Sequence, residues 1–190
     1  KSFVSLDGAD HLLSRREDAE YVASMIATWA ARYTASKQPA VPAENEANAV
    51  VVSETGSGKF ANAISFGGRH TMLADEPEAY GGSDTGPSPY ELLLAALGAC
   101  KSMTMRMYAA RKGFALDQAK VTLRHSKVHA VDCDGCETNG KKVDRIEVDI
   151  EVTGDLNEED RQKIIAIAEK CPVHRTLVSN VVIESKHKTE

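Results

Sequence analysis

The run GPSPYELLLAALGACKSMTMRMYAARKG constrains this chain more than any other segment. From about Pro89 to Arg111 it reads as a single helix that ends near Gly113. Leu92, Leu93, Leu94, Ala95, Ala96, Leu97, Met103, Met105 and Met107 take its apolar positions nearly all the way round. A helix of that kind is expected to be buried on most sides rather than on one stripe. The rest of the chain must therefore supply surfaces that wrap it. Cys100 lies in its middle.

The surrounding segments suggest strands and shorter helices. AVVVSE, FANAISF and RHTMLADEP read as a meander, with GSGK as one turn. KVTLRHSKVHA and DRIEVDIEVTG alternate as half-buried strands, joined through the turn-rich DCDGCETNGKK. Asn157 is placed to cap the helix EEDRQKIIAIAEK, and Pro172 to open a further helical turn. NVVIES reads as a closing strand. Strands, helix, strands, helices and a last strand in that order predict an α+β fold, not a parallel α/β sheet.

The N-terminal stretch is different in texture. Ser14 and Glu17 have the spacing of a capping box, and Val22, Met25, Ile26, Trp29 and Tyr33 form one face of the helix that follows. TASKQPAVPAENEAN has the composition of a linker. The expected division is a helical appendage over 1–36, a linker over 37–48 and a main domain over 49–190.

Hydrophobic residues make up 42% of the 190, enough for a core, and the net charge is −5. No cluster of Lys and Arg points to nucleic acid or an anionic membrane. No apolar run is long enough to span a bilayer. Four cysteines in a chain of this size do not form a disulfide framework, so a cytoplasmic protein with reduced thiols is expected.

Two cysteines have distinct settings. Cys100 is on the apolar helix, where a lone Cys is ordinarily a core residue. Cys171 directly precedes Pro172, with His174 and Arg175 close behind, a setting that favours a thiolate. Its alternative reading is a Cys-Pro helix junction. If the fold brings the two thiols together, one can be oxidised to a sulfenic acid and the other can condense with it.

The stretches GPSPYELLLAALGACKSM and AEKCPVHRTL resemble the two cysteine motifs of the OsmC/Ohr family, the osmotically induced and organic hydroperoxide resistance proteins. The resemblance in element order runs from about residue 49 to 190. It implies two antiparallel sheets around the helix that carries Cys100, and an intertwined homodimer. It also implies thiol-dependent reduction of organic hydroperoxides in oxidative-stress defence, with an external dithiol as reductant and no cofactor. By position Cys100 would be the attacking thiol and Cys171 the resolving one. The family's better-known peroxidases carry a Glu that orients an Arg beside the thiolate. Here Tyr90 stands at that spacing and Glu91 follows it. One residue turns a helical side chain by about 100°, so Glu91 faces elsewhere than Tyr90. Arg69, at the end of an early strand, is the Arg expected beside the thiolate.

Two further constellations have competing readings. His125, His129, Cys133 and Cys136 have a zinc-like spacing, most easily through His129, Cys133 and Cys136. On an extended strand the two His are about 13 Å apart. The same CxxC can also be redox-active or a structural loop tip. SFVSLDGADHLLSRREDAEYVASMIATWAARY resembles the last strand, histidine loop and final helix of an α/β-hydrolase, with His11 at the histidine position. No G-x-S-x-G elbow accompanies it, which leaves His11 as an orphaned loop residue. The alternative function is then a non-enzymatic ligand- or zinc-binding module attached to an upstream hydrolase.

Overall fold

The computed structural model describes residues 5–34, 49–129 and 142–187. The chain forms two compact units, Lys1–Ala74 and Asp75–Glu190. The expected linker over 37–48 lies outside the described residues.

In the first unit, α1 (Arg16–Thr34) precedes a three-stranded antiparallel sheet in the order β1 (Val50–Glu54), β2 (Asn62–Phe66), β3 (His70–Ala74). This is the meander expected from the alternating segments. Ser14 bonds back to Asp10 through both its amide and its hydroxyl, so the start of α1 is organised by Asp10 rather than by a Ser14–Glu17 box.

The second unit carries the chemistry. Its core helix α2 (Pro89–Lys112) starts in a capping box: Ser88 accepts from the Glu91 amide, and the Glu91 carboxylate accepts from the Ser88 amide. Pro89 sits where its missing N–H costs nothing. The helix stops at Gly113, in the left-handed region at φ 71°. Then come β4 (Ala115–His129) and β5 (Lys142–Asp155), an antiparallel pair, followed by α3 (Glu158–Ala168) and α4 (Pro172–Leu177). Asn157 caps α3 by accepting from the Asp160 amide, as its position predicts.

The register explains the core. Ala119, Val121 and Leu123 of β4 pair with Val152, Ile150 and Val148 of β5, so one face of the ribbon is apolar. Leu116 would fall on the other face by strict alternation. A bulge between Leu116 and Gln118 corrects the phase and puts Leu116 in the core. Arg106 of α2 donates to the carbonyls of Leu116 and Asp117 and so secures the bulge. Met105 and Ala109 of α2 pack with Leu116, Val152, Ile164 and Ala168.

Two differences from the expected elements stand out. Within this chain α2 buries one face, through Leu97, Gly98, Lys101, Met105 and Ala109, while Leu93, Met103 and Met107 are exposed. The apolar composition does extend round the helix, but the described residues do not cover all of it. NVVIES forms no strand, and Val181, Val182 and Ile183 are exposed in an irregular segment. Alternation permits a strand, but the ladder needs a neighbouring backbone.

Candidate functional site: two thiols and a buried lysine

The site is built on α2 and on the junction of α3 and α4. Cys100 is partly exposed on α2 and Cys171 is fully buried, and both are free thiols. At about 100° per residue, Cys100 falls on the same side of α2 as Leu93, Met103 and Met107, the exposed apolar line. Cys171 is the N-cap of α4, and its Sγ accepts from the His174 amide at 3.3 Å.

The Cys100 side chain is close enough to Cys171 to act on its thiol. Burial pushes this thiol above its ordinary range, and the His174 N–H works against that. The neighbouring Cys100 side chain raises it further, and the Lys101 charge lowers it. A buried thiol that neighbours a second, more exposed one is expected to hold its proton while the other reacts first.

Lys101 was not singled out by the sequence reading. It is 1% exposed in the face that packs inward, and its Nζ reaches Glu169 Oε1 at 2.8 Å and the Ala168 carbonyl at 3.4 Å. Glu169 also meets His174 Nδ1 through its other oxygen at 3.4 Å. A buried charge needs a partner, and Glu169 is that partner. The signal in the sequence was the series Leu97, Lys101, Met105, Ala109, four residues apart, with one cation in an otherwise apolar line. Arg175, expected near the thiol, is exposed.

Beside this group lies a cavity of about 460 Å³, lined by Leu97, Lys101, Asp144, Ile146, Val148, Glu169, His174, Leu177 and Val178. It is apolar along α2, β5 and α4, with an ionic cluster at one part of its wall.

Tyr90 and Glu91 have definite structural work. Tyr90 stacks on His125 of β4 with ring centroids 4.2 Å apart and 15° between planes. His125 Nε2 lies 2.8 Å from Asp144 Oδ1, and this contact, with that of Lys127, holds the Asp144 carboxyl below its usual range. The Glu91 carboxylate is engaged by the Ser88 amide and hydroxyl, which lower its pKa. Arg69 lies in the turn between β2 and β3 of the first unit, its amide bonded to the Phe66 carbonyl. The side chain of His129, and Cys133 and Cys136, lie outside the described residues. Among the described residues no three His, Cys, Asp or Glu side chains gather as a metal site. Nor is any described helix long and apolar enough to cross a membrane.

Comparison with solved structures gives the same architecture. An OsmC-like protein from Mycoplasma pneumoniae superposes with a TM-score of 0.51 at 21% identity, over 68% of this chain and 84% of that one. An organic hydroperoxide resistance protein OsmC from Legionella pneumophila superposes with a TM-score of 0.50 at 19% identity, over 70% and 90%. Likeness at these identities establishes the mixed α+β fold with its antiparallel sheets. No curated protein matches the chain. The family model described as OsmC-like protein matches residues 81–186, more than half of the chain and all of the segment that carries α2, Cys100, Lys101 and Cys171. The chain belongs to the OsmC-like protein family.

Proposed function

We propose that this protein reduces organic hydroperoxides or related oxidants with Cys100 and Cys171, as part of oxidative-stress defence. The observation that carries the reading is the pairing of two free, neighbouring thiols, one partly exposed and one buried. Membership of the OsmC-like family supports it, as does the fold shared with the Legionella protein described as an organic hydroperoxide resistance protein.

The Cys100 thiolate attacks the distal oxygen of the hydroperoxide. A sulfur–oxygen bond forms, the O–O bond breaks, and the leaving alkoxide takes a proton to become an alcohol. Cys100 is then a sulfenic acid. The Cys171 thiolate attacks that sulfur, a disulfide forms, the S–O bond breaks, and hydroxide leaves as water. An external dithiol returns both thiols. Leu93 and Met103 on the Cys100 side of α2, and Leu97 in the cavity wall, favour an alkyl oxidant over hydrogen peroxide. Arg69 and Glu91 enter this reading as residues to test beside the thiolate, through the rates of Arg69→Met and Glu91→Gln.

The reading also includes a homodimer, supported by the exposed Leu93, Met103 and Met107 and by the exposed Val181–Ile183 segment. The hydrolase-like origin of 1–36 belongs to the proposal too, supported by the resemblance of SFVSLDGADHLLSRREDAEYVASMIATWAARY to a last strand, histidine loop and final helix of that fold.

Stopped-flow consumption of an alkyl hydroperoxide by the reduced protein tests the function. Cys100→Ser is expected to abolish turnover. Cys171→Ser is expected to consume one equivalent and stall, with a sulfenic acid that dimedone traps. Full turnover by Cys100→Ser would refute the assignment.

A further inference from the structure

The buried lysine has no place in the two-thiol scheme above, although it adjoins the first cysteine in sequence and the second in space. We propose that Lys101 is a positioning residue for the resolving thiol: its buried ammonium, fixed by Glu169, favours the Cys171 thiolate that must attack oxidised Cys100. This inference rests on the two-thiol reading and extends it to the control of its second step.

The geometry is specific. Lys101 is on the inward face of α2, one residue after Cys100, and 1% exposed. Glu169 Oε1 at 2.8 Å and the Ala168 carbonyl at 3.4 Å hold its Nζ at the end of α3. That is the chain segment leading directly into Cys171. Glu169 Oε2 meets His174 Nδ1 at 3.4 Å, and the His174 amide donates to Cys171 Sγ at 3.3 Å. The titratable and charged groups around Cys171 are thus Cys100 and Lys101 from α2, Glu169 after α3 and His174 from α4, with Asp144 of β5 sharing the cavity wall.

Burial disfavours the thiolate of Cys171, so its attack on a sulfenic acid would be slow without a compensating charge. The Lys101 charge acts in the compensating direction. Glu169 has two opposed effects: it keeps the ammonium in place and it offsets part of its charge. The resolving step itself balances as written above, with the proton of Cys171 leaving before attack and water as the final product.

The test follows the ionisation of Cys171 by the Cβ chemical shift of isotopically labelled cysteine as pH is varied, in reduced Cys100→Ser protein. Lys101→Met is expected to raise the midpoint by about one pH unit or more. Glu169→Gln is expected to lower it by about half a unit or more, because the negative charge is lost while the amide oxygen and the Ala168 carbonyl still accept from the Lys101 ammonium. Glu169 is 58% exposed, so this second variant carries the test if the buried substitution does not fold. An unmoved midpoint in folded Lys101→Met, or an upward shift in Glu169→Gln, would overturn the inference. The titration needs no peroxide. A protein that fails to consume hydroperoxide yet shows both shifts refutes the functional reading and sustains only the charge effect of Lys101 on Cys171. A protein that turns over peroxide without the shifts does the reverse.

Discussion

At the scale of single residues, polar groups inside this protein are held by dense local bonding. Asp75 is buried at 2% exposure, and its carboxylate accepts from the amides of Glu76, Ser83 and Thr85 and from the Thr85 hydroxyl. Burial alone would raise its pKa, but the hydrogen bonds outweigh it and the net shift is downward. A carboxyl whose folded pKa is depressed contributes stability above its unfolded pKa, near 3.9, and loses that contribution as pH falls through the folded value. Asp75→Asn is therefore expected to unfold at lower urea than the parent at pH 7, with the difference shrinking toward pH 3. A constant difference across that range would contradict this account. Asp75 was not legible as a structural centre, because its partners Ser83 and Thr85 lie eight and ten residues away in a loop of Gly, Ser and Pro. Tyr90 is similar: it stands where the resemblance implies a Glu, and only the structure supplies its stacking on His125.

Among the elements, the β4–β5 ribbon depends on one close backbone approach. Gly154 has φ 144°, and a Cβ there would lie 2.0 Å from the Ala115 carbonyl oxygen and 2.8 Å from the Asp117 amide. The bulge that returns Leu116 to the core sits opposite it. Gly154→Ala therefore meets both backbone strain and a steric clash, and is expected to destabilise the protein by about 2–4 kcal/mol. Chemical denaturation measures this, and a loss under about 0.5 kcal/mol would show that the ribbon relaxes freely. The strands themselves were readable from alternation, and α3 from its Asn157 cap. The bulge was not, because apolar alternation does not reveal where a register slips by one residue. β4 also begins at Ala115, earlier than its clear alternation at Lys120 suggests, for the same reason.

For the whole molecule, the central issue is what covers the apolar surface this chain leaves open. Met103 is 65% and Met107 is 73% exposed, on the side of α2 that carries Cys100. Val182 and Ile183 are more than four-fifths exposed. Under the proposed homodimer a second copy would bury these surfaces, removing roughly 25 cal/mol of cost per Å² of apolar area covered. Light scattering is expected to give a mass of two chains for the parent. Met103→Lys with Met107→Lys is expected to shift the distribution strongly toward one chain at micromolar concentration. A parent protein with the mass of one chain at high concentration would end the dimer proposal.

The sequence by itself determined the elements and their order, the strand expected at NVVIES excepted. Helical and strand periodicity, the Asn157 cap, the Pro starts and the Gly113 stop are local properties, written within a few residues of each other. It also placed Cys100 and Cys171 in distinct settings that matched a family pattern. Only the tertiary structure decided that the Cys100 side chain acts on Cys171, that Lys101 points inward to Glu169, and that NVVIES has no strand partner among the described residues. Those outcomes depend on contacts between positions tens of residues apart. Such contacts are fixed by how helices and strands pack, and local patterning does not encode them.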